Sequence, residues 1–370
     1  MPLPLLQKSP MVQTSPDLLT TLLKQVSRSF YLTLRVLPTA IRPQIGLAYL
    51  LARAADTLAD TEAVPVEMRL MALQSLRERI LGQTTLPLDF GQILRFTPNG
   101  LGRGDAADKD PDASAPATGA ERILVERIEE GLFLLKQVSS ADRKLIREVL
   151  QAITSGQILD LTRFGSATAT HIVTLQSEEE LDDYTYRVAG CVGEFWTRMC
   201  RAHIFPNAPL DDATLLANGI RFGKGLQLVN ILRDLAVDLR QGRCYLPAEQ
   251  WQRFGVAPAF VFERANDPAV RRLYDCYLAQ AADHLRAGWA YTNALPHRCA
   301  RVRLACAWPI LIGVSTLEKL RRGNALDPQH RIKIERSEVR KLLIRSVLYY
   351  PWPRAWNRLF LGASTPRPGG

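Results

Sequence analysis

The sequence has little of what marks a secreted, thiolate-metal or membrane-spanning protein. Its six cysteines (Cys191, Cys200, Cys244, Cys276, Cys299 and Cys306) are scattered through 370 residues. None forms a CxxC pair and none joins a Cys/His cluster of zinc spacing, so neither a thiolate metal site nor a disulfide framework is indicated. They read as free thiols in a reducing compartment, and a cytoplasmic protein is expected. The opening MPLPLLQKSP has no basic segment followed by an apolar one, so no signal peptide is expected. The longest apolar run, ACAWPILIGV at 305–314, is well short of the ~20 residues of a spanning helix. A soluble or peripherally membrane-bound protein follows. Strand-type alternation is nowhere sustained, and no repeat with a period of about 20–50 residues is found.

What is present is helical. Hydrophobic residues make up 47% of the chain, ample for a large core. Helical spacing of apolar residues follows a helix start at Ser15-Pro16-Asp17 and resumes after Arg42-Pro43. It continues over 121–138, 140–161, 178–200, 212–241, 267–294, 299–322 and 337–349. Residues 97–120 are rich in Gly, Pro, Ala and Asp and read as a disordered insertion. The expected architecture is one all-α domain of roughly ten helices over residues 1–360, with a flexible tail at 361–370. A monomer is expected.

Lys and Arg number 47 against 37 acids, a net charge of +10. Such an excess is either a solvated basic surface or a match to an anionic partner: nucleic acid, an anionic membrane or a phosphate ester. No nucleic-acid motif and no interleaved basic–aromatic sheet pattern is found, so no nucleic-acid partner is expected.

Two helices carry acids where apolar residues dominate. In YLLARAADTLAD (49–60), Arg53, Asp56 and Asp60 lie within about 60° of one another, with Tyr49 on the same stripe. In LQLVNILRDLAVDL (226–239), Gln227, Asn230, Asp234 and Asp238 form a polar stripe beside Leu226, Leu228, Val229, Ile231 and Leu232. Either pair alone is most simply a solvated face. Together, two apolar helices each with an i,i+4 acid pair suggest four carboxylates across a cavity. Hard oxygen donors of this kind suit Mg²⁺, which retains waters and takes substrate phosphate oxygens. Arg28, Arg53 and Arg233 are placed to fork onto phosphate.

Two further stretches leave alternatives open. Ala189, Gly190 and Gly193 in YTYRVAGCVG (184–193) are small residues within a helical pattern. They mark close approach of either another helix or a ligand. The C-terminal RIKIERSEVRKLLIRS and WPRAWNRLF read as a solvated amphipathic helix and tail, as a phosphate contact through Lys333, or as a membrane-interface element built on Trp352, Trp356 and Phe360.

On SRSF (27–30), ARAADTLAD (52–60), YTYRVAGCVG (184–193) and LVNILRDLAVDLRQGRCYLP (228–247), the chain resembles the squalene/phytoene synthases, the head-to-head prenyl diphosphate synthases. Asp56-Thr57 and the C-terminal CAWPILIGVSTLEKL and IKIERSEV resemble the squalene-type members more than the phytoene type. The resemblance implies an isoprenoid synthase fold, a single helical bundle around a central cavity. It implies Mg²⁺ held by Asp56, Asp60, Asp234 and Asp238, and two farnesyl diphosphates condensing to presqualene diphosphate, which NADPH reduces to squalene. Arg28, Arg53 and Arg233 match positions contacting phosphates of substrate or NADPH; Gln227 and Asn230, on the polar stripe, are expected to bind the substrate diphosphate. Tyr184 matches a tyrosine near the reacting cation. Lys333 and Arg336 are the expected NADPH contacts. The sequence departs from the family pattern at Ala59, where Glu is frequent, and at Glu335, where a base is expected. Products stopping at presqualene diphosphate or hydroxysqualene, phytoene synthesis, and a non-catalytic relative acting in assembly are the alternatives. Within GRCYLP, Tyr245 reads as packing, and no physical role follows for Cys244.

Overall fold

The computed structural model describes residues 18–27, 30–96, 119–263, 267–324, 326 and 332–364. Arg28, Ser15 and Pro16, most of the expected insertion (97–118) and the end of the expected tail (365–370) lie outside them.

A short π-helical turn (Leu18–Leu22) leads into α1 (Leu23–Ser27), followed by α2 (Phe30–Val36), α3 (Arg42–Ala59), α4 (Val66–Leu81) and α5 (Gly91–Phe96). Next come α6 (Gly119–Glu126), α7 (Ile128–Gln137), α8 (Ser140–Phe164), β1 (Val173–Thr174), α9 (Glu178–Thr185) and α10 (Cys191–His203). The chain then builds α11 (Asp212–Arg240), β2 (Arg243–Cys244), α12 (Ala248–Arg253), α13 (Pro268–Ala294), α14 (Ala300–Arg322), α15 (Arg336–Tyr349) and α16 (Pro353–Ser364). The all-α expectation holds. Residues 119 and 120 open α6 rather than close the insertion, and α16 runs four residues into the expected tail.

Local chemistry sets the long helices. Ser139 accepts from the Asp142 amide to start α8, and Asp211 from Ala213 to start α11. Asp267 does the same for α13, with Pro268 at the first helical position. The apolar stripe of α11 (Leu228, Val229, Ile231, Leu232, Leu235, Leu239) is buried against α10, α13 and α14. This central helix is therefore apolar nearly all round, as a core helix must be. The span α14 is apolar and long enough to cross a membrane, but two-thirds of that window is buried in the protein core.

The glycines of YTYRVAGCVG settle the choice left open by sequence. A methyl group on Gly193 would stand 1.9 Å from the Gly219 carbonyl oxygen, and one on Gly223 would stand 2.2 Å from that of Ala189. These small residues bring α10 and the π-helical turn Tyr186–Gly190 against the backbone of α11. Another helix, not a ligand, occupies the space.

One sheet contact departs from the helical reading. β1 and β2 pair in parallel, Val173 opposite Arg243 and Thr174 opposite Cys244. Val173 donates to the Gly242 carbonyl at 2.8 Å and Leu175 to that of Cys244 at 3.1 Å. Gly242 has φ +79°, and a Cβ there would stand 2.2 Å from the Thr168 carbonyl oxygen, so only glycine fits this turn. The pairing is too short for any alternation to reveal it.

Candidate active site

Asp56 and Asp60 sit at the end of α3, Asp60 on its C-cap with its amide bonded to the Asp56 carbonyl. Asp56 is deep among protein atoms, yet 42% of its side-chain surface stays accessible. The two facts together place it on the wall of an opening, not in the packed core. Gln157 of α8 donates to Asp56 Oδ1, and Arg53 stands 3.8 Å away. Enclosure, then the neighbouring Asp60, push the Asp56 carboxyl up to about 7, against the pull of Arg53. Asp60, exposed at the helix end yet crowded by protein on its other side, is raised as well, against Arg53 and Arg243.

The second pair sits toward the end of α11. Arg233 folds back on its neighbour Asp234 with two hydrogen bonds, Nε to Oδ1 at 3.1 Å and a terminal nitrogen to Oδ2 at 2.7 Å. Adjacent helical residues do not normally face each other, so the arginine must curl to make this fork. Enclosure and then Asp234 push the Asp238 carboxyl up to about 7, with Arg243 opposing.

Arg243, fixed by the β1–β2 pairing, holds down the carboxyls of both Asp60 and Asp238. The two acid pairs thus share one electrostatic region although they arise from helices far apart in sequence. Arg243 also reaches Glu62 at 3.7 Å.

A fifth carboxylate belongs to the same region. Asp160, on α8 one turn beyond Gln157, is pushed up to about 6 by burial and feels both Asp60 and Arg243. The Tyr245 hydroxyl donates to its Oδ1 at 3.0 Å. The Tyr245 ring stacks on Tyr184 (centroids 4.7 Å apart, 25° between planes) and meets Phe164 edge-on. The Tyr184 hydroxyl interacts with Tyr245 and Gln227, and burial holds it far above the ordinary tyrosine range. A cavity of about 350 Å³ adjoins this cluster, lined by Glu62, Arg69, Asp160, Phe164 and Arg243 among others.

The structure therefore brings together Arg53, Asp56, Asp60, Tyr184, Gln227, Arg233, Asp234 and Asp238. Asn230 lies exposed one turn before Asp234. Arg28 is outside the described residues, but Phe30 from the same SRSF stretch stacks on Tyr49 of α3 at 5.0 Å. Lys333 and Arg336 are exposed at the start of α15, which packs chiefly on α14 and α16. Lys319 holds this end by donating to Glu338 at 2.6 Å and to the Lys333 carbonyl at 3.2 Å. Glu335 caps α15 in a capping box with Glu338, which gives a physical reason for an acid at a position where the resemblance expects a base.

Sequence reading missed five residues. Gln157, Asp160 and Glu121 are single polar residues on helices read only for their apolar spacing. Glu121 is 2% exposed and pairs with Arg53, whose Nε is buried without a partner. Arg243 and Tyr245 lie in GRCYLP; the Tyr245 ring packs as the sequence predicts, and its hydroxyl also bonds. Cys244 is fully buried, its thiol toward the Leu246 carbonyl, and serves the core.

As a donor set, the acid pairs suit Mg²⁺ only in one way. Among the described residues no three His, Cys, Asp or Glu side chains converge to enclose an ion. Asp56 and Asp238 are raised by enclosure and by their paired aspartates despite the arginines nearby, so a further cation there would relieve them. These features fit ions completed by water and phosphate oxygens, not a protein cage.

The sequence profile of the squalene/phytoene synthase family matches residues 23–338. A bifunctional lycopene cyclase/phytoene synthase of Colletotrichum graminicola is 29% identical over 263 residues, covering 71% of this chain and 39% of that protein. The squalene synthase ERG9 of Saccharomyces cerevisiae is 28% identical over 246 residues, covering 65% of this chain and 48% of that protein. The chain thus spans less than half the length of these two relatives. In structure it is similar to TcSQS in a ligand complex (TM-score 0.71, 21% identity, 94% of this chain and 90% of that one). It is also similar to the squalene synthase HpnC of Alicyclobacillus acidocaldarius (TM-score 0.54, 19% identity, 84% and 96%).

Proposed function

The chain belongs to the squalene/phytoene synthase family, and on that premise we propose that it is a squalene synthase. It joins two farnesyl diphosphates head to head into presqualene diphosphate and reduces this to squalene, using Mg²⁺ and NADPH. The observation that carries the reading is the coupling of the Asp56–Asp60 and Asp234–Asp238 pairs through Arg243, beside the Tyr184–Tyr245 stack. Asp56-Thr57, Lys333-Ile334 and the C-terminal segment favour squalene over phytoene chemistry.

Asp56, Asp60, Asp234 and Asp238 would hold Mg²⁺, which neutralises the departing diphosphate when bound. Gln157 orients Asp56, and Arg53 and Arg233 add donors aimed at developing negative charge. Arg233 reaches the diphosphate by exchanging its fork on Asp234 for one on phosphate. Tyr184 keeps its proton, so its neutral ring offers a π-face to an allylic cation, an attraction worth about 2 kcal/mol when desolvated. The Tyr245 hydroxyl and the Gln227 amide hold that ring in place. Phe164, Leu161 and Val66 line the neighbouring cavity and keep water from the cation. Arg28, Lys333 and Arg336, with Arg53 and Arg233, would hold the phosphates of NADPH, which supplies hydride.

Product analysis by gas chromatography, with farnesyl diphosphate and Mg²⁺, tests this directly. Squalene is expected with NADPH and presqualene diphosphate without it. Absence of squalene when NADPH is present overturns the reading. The similarity to a phytoene synthase sustains one rival, for which phytoene would form from geranylgeranyl diphosphate.

A further inference from the structure

Fifteen large hydrophobic side chains are strongly exposed among the described residues, and five of them fall within nine positions of the C-terminal hairpin. Ile344, Val347 and Leu348 on α15 are 50%, 52% and 57% exposed, and Tyr349 at its end and Trp352 in the following turn are 38% and 62% exposed. At 100° per residue, Val347, Ile344 and Leu348 span about 100° of α15. Arg340, Lys341 and Arg345 lie within or beside the same arc, all exposed.

This is not a helix that has come loose. The opposite face of α15 is docked: Ser346 is fully buried and accepts from Trp308 Nε1 at 2.8 Å. α16 is pinned likewise. Its Trp356 stacks on Trp289 at 5.1 Å and donates to Asn293 at 2.8 Å, and the Arg303 guanidinium lies over the Trp356 ring. The hairpin therefore holds its apolar ridge outward on a rigid base, with Trp352 at the tip between two prolines. A contiguous exposed apolar patch on a folded protein marks an interaction surface.

Charge identifies the partner. From Val339 to Ser364 the chain carries Arg340, Lys341, Arg345, Arg354 and Arg358 and no Asp or Glu. All five bases are exposed. A second copy of this chain would set five cations against five. A surface that is both apolar and anionic answers both features, and a bilayer bearing anionic lipids is such a surface. We propose that the α15–α16 hairpin is a docking face for anionic membrane. The five bases lie among the headgroups, and Ile344, Val347, Leu348 and Trp352 enter the acyl boundary. The face stands on its own observations, apart from the reaction proposed above.

Co-sedimentation of the full chain with vesicles tests it. Binding is expected to phosphatidylglycerol-containing vesicles and not to phosphatidylcholine alone, and to weaken as salt is raised. Arg345→Glu with Arg354→Glu is expected to lower vesicle affinity by about tenfold or more. Leu348→Ser with Trp352→Ser should weaken binding comparably at low salt, and an unchanged melting temperature shows that both variants fold. Failure to bind anionic vesicles, equal binding to neutral ones, or binding untouched by both double variants overturns the proposal. So does concentration-dependent self-association that the serine variant abolishes, which assigns the ridge to a second copy instead.

Discussion

Tyr245 donates its hydroxyl proton to Asp160 while its ring lies against Tyr184. One side chain from a turn thus fixes both a carboxylate on α8 and an aromatic face on α9. Tyr245→Phe keeps the ring and removes the bond. Loss of a hydrogen bond to a charged group, worth about 1.5–3 kcal/mol, is expected to lower kcat about tenfold or more with KM little changed. Asp160, deprived of the donor that holds it down, rises further above its present value of about 6. Titration of the Asp160 carboxyl by NMR reads that rise, which a purely structural loss would not produce.

Asp56 and Asp238 are each pushed up to about 7 from an ordinary 3.8. The folded protein therefore keeps protons that the unfolded chain has released. The associated stability is full below the unfolded value and is lost as pH rises through the folded one. Asp56→Asn and Asp238→Asn are expected to raise the melting temperature of the metal-free protein at a pH of about 8 and to leave it unchanged near about pH 4. Mg²⁺ with diphosphate should stabilise the unaltered protein more at the higher pH. A melting series across this window reads both effects.

Glu121 gives Arg53 a counter-charge before any ligand arrives. Removing it with Glu121→Gln leaves a half-buried guanidinium whose remaining carboxylate neighbour among the described residues is Asp56 at 3.8 Å. Breaking a buried pair costs about 3–5 kcal/mol, so the melting temperature falls. Diphosphate then finds an uncompensated cation, so its affinity rises and its addition restores much of the lost stability. Calorimetric titration with inorganic diphosphate measures the gain, and unchanged affinity would show that Arg53 does not meet the anion.

Gly193→Ala drives a methyl group into the Gly219 carbonyl of the facing helix, and both partners there are backbone. Overpacking of this kind costs about 1–3 kcal/mol. Moving α10 off α11 also moves the π-helical turn that follows Tyr184. The expected result is a lower melting temperature together with a fall in turnover.

Helical spacing made α3, α8, α11, α13 and α14 legible nearly to the residue, because each buries a long apolar stripe. The two acid pairs were legible for the complementary reason: polar residues repeated at i,i+4 stand out on such stripes. Asp160, Gln157 and Glu121 are single polar residues on helices read for their apolar positions. Only packing of α8 and α6 against α3 gives them a role. Gln157 and Asp160, three residues apart in an otherwise apolar stretch, were the available signal. Arg243 and Tyr245 depend on a two-residue strand pairing, and no periodicity can announce so short an element. Glu335, an apparent departure from the family pattern, became intelligible once seen as the cap of α15.

The same two-residue pairing gives the site a clock. The backbone that carries Arg243 and Tyr245 is held where Val173 and Leu175 bond the carbonyls of Gly242 and Cys244. A breathing motion that parts β1 from β2 breaks those two bonds. The exchange of two backbone amide hydrogens with solvent therefore times how often the site comes undone.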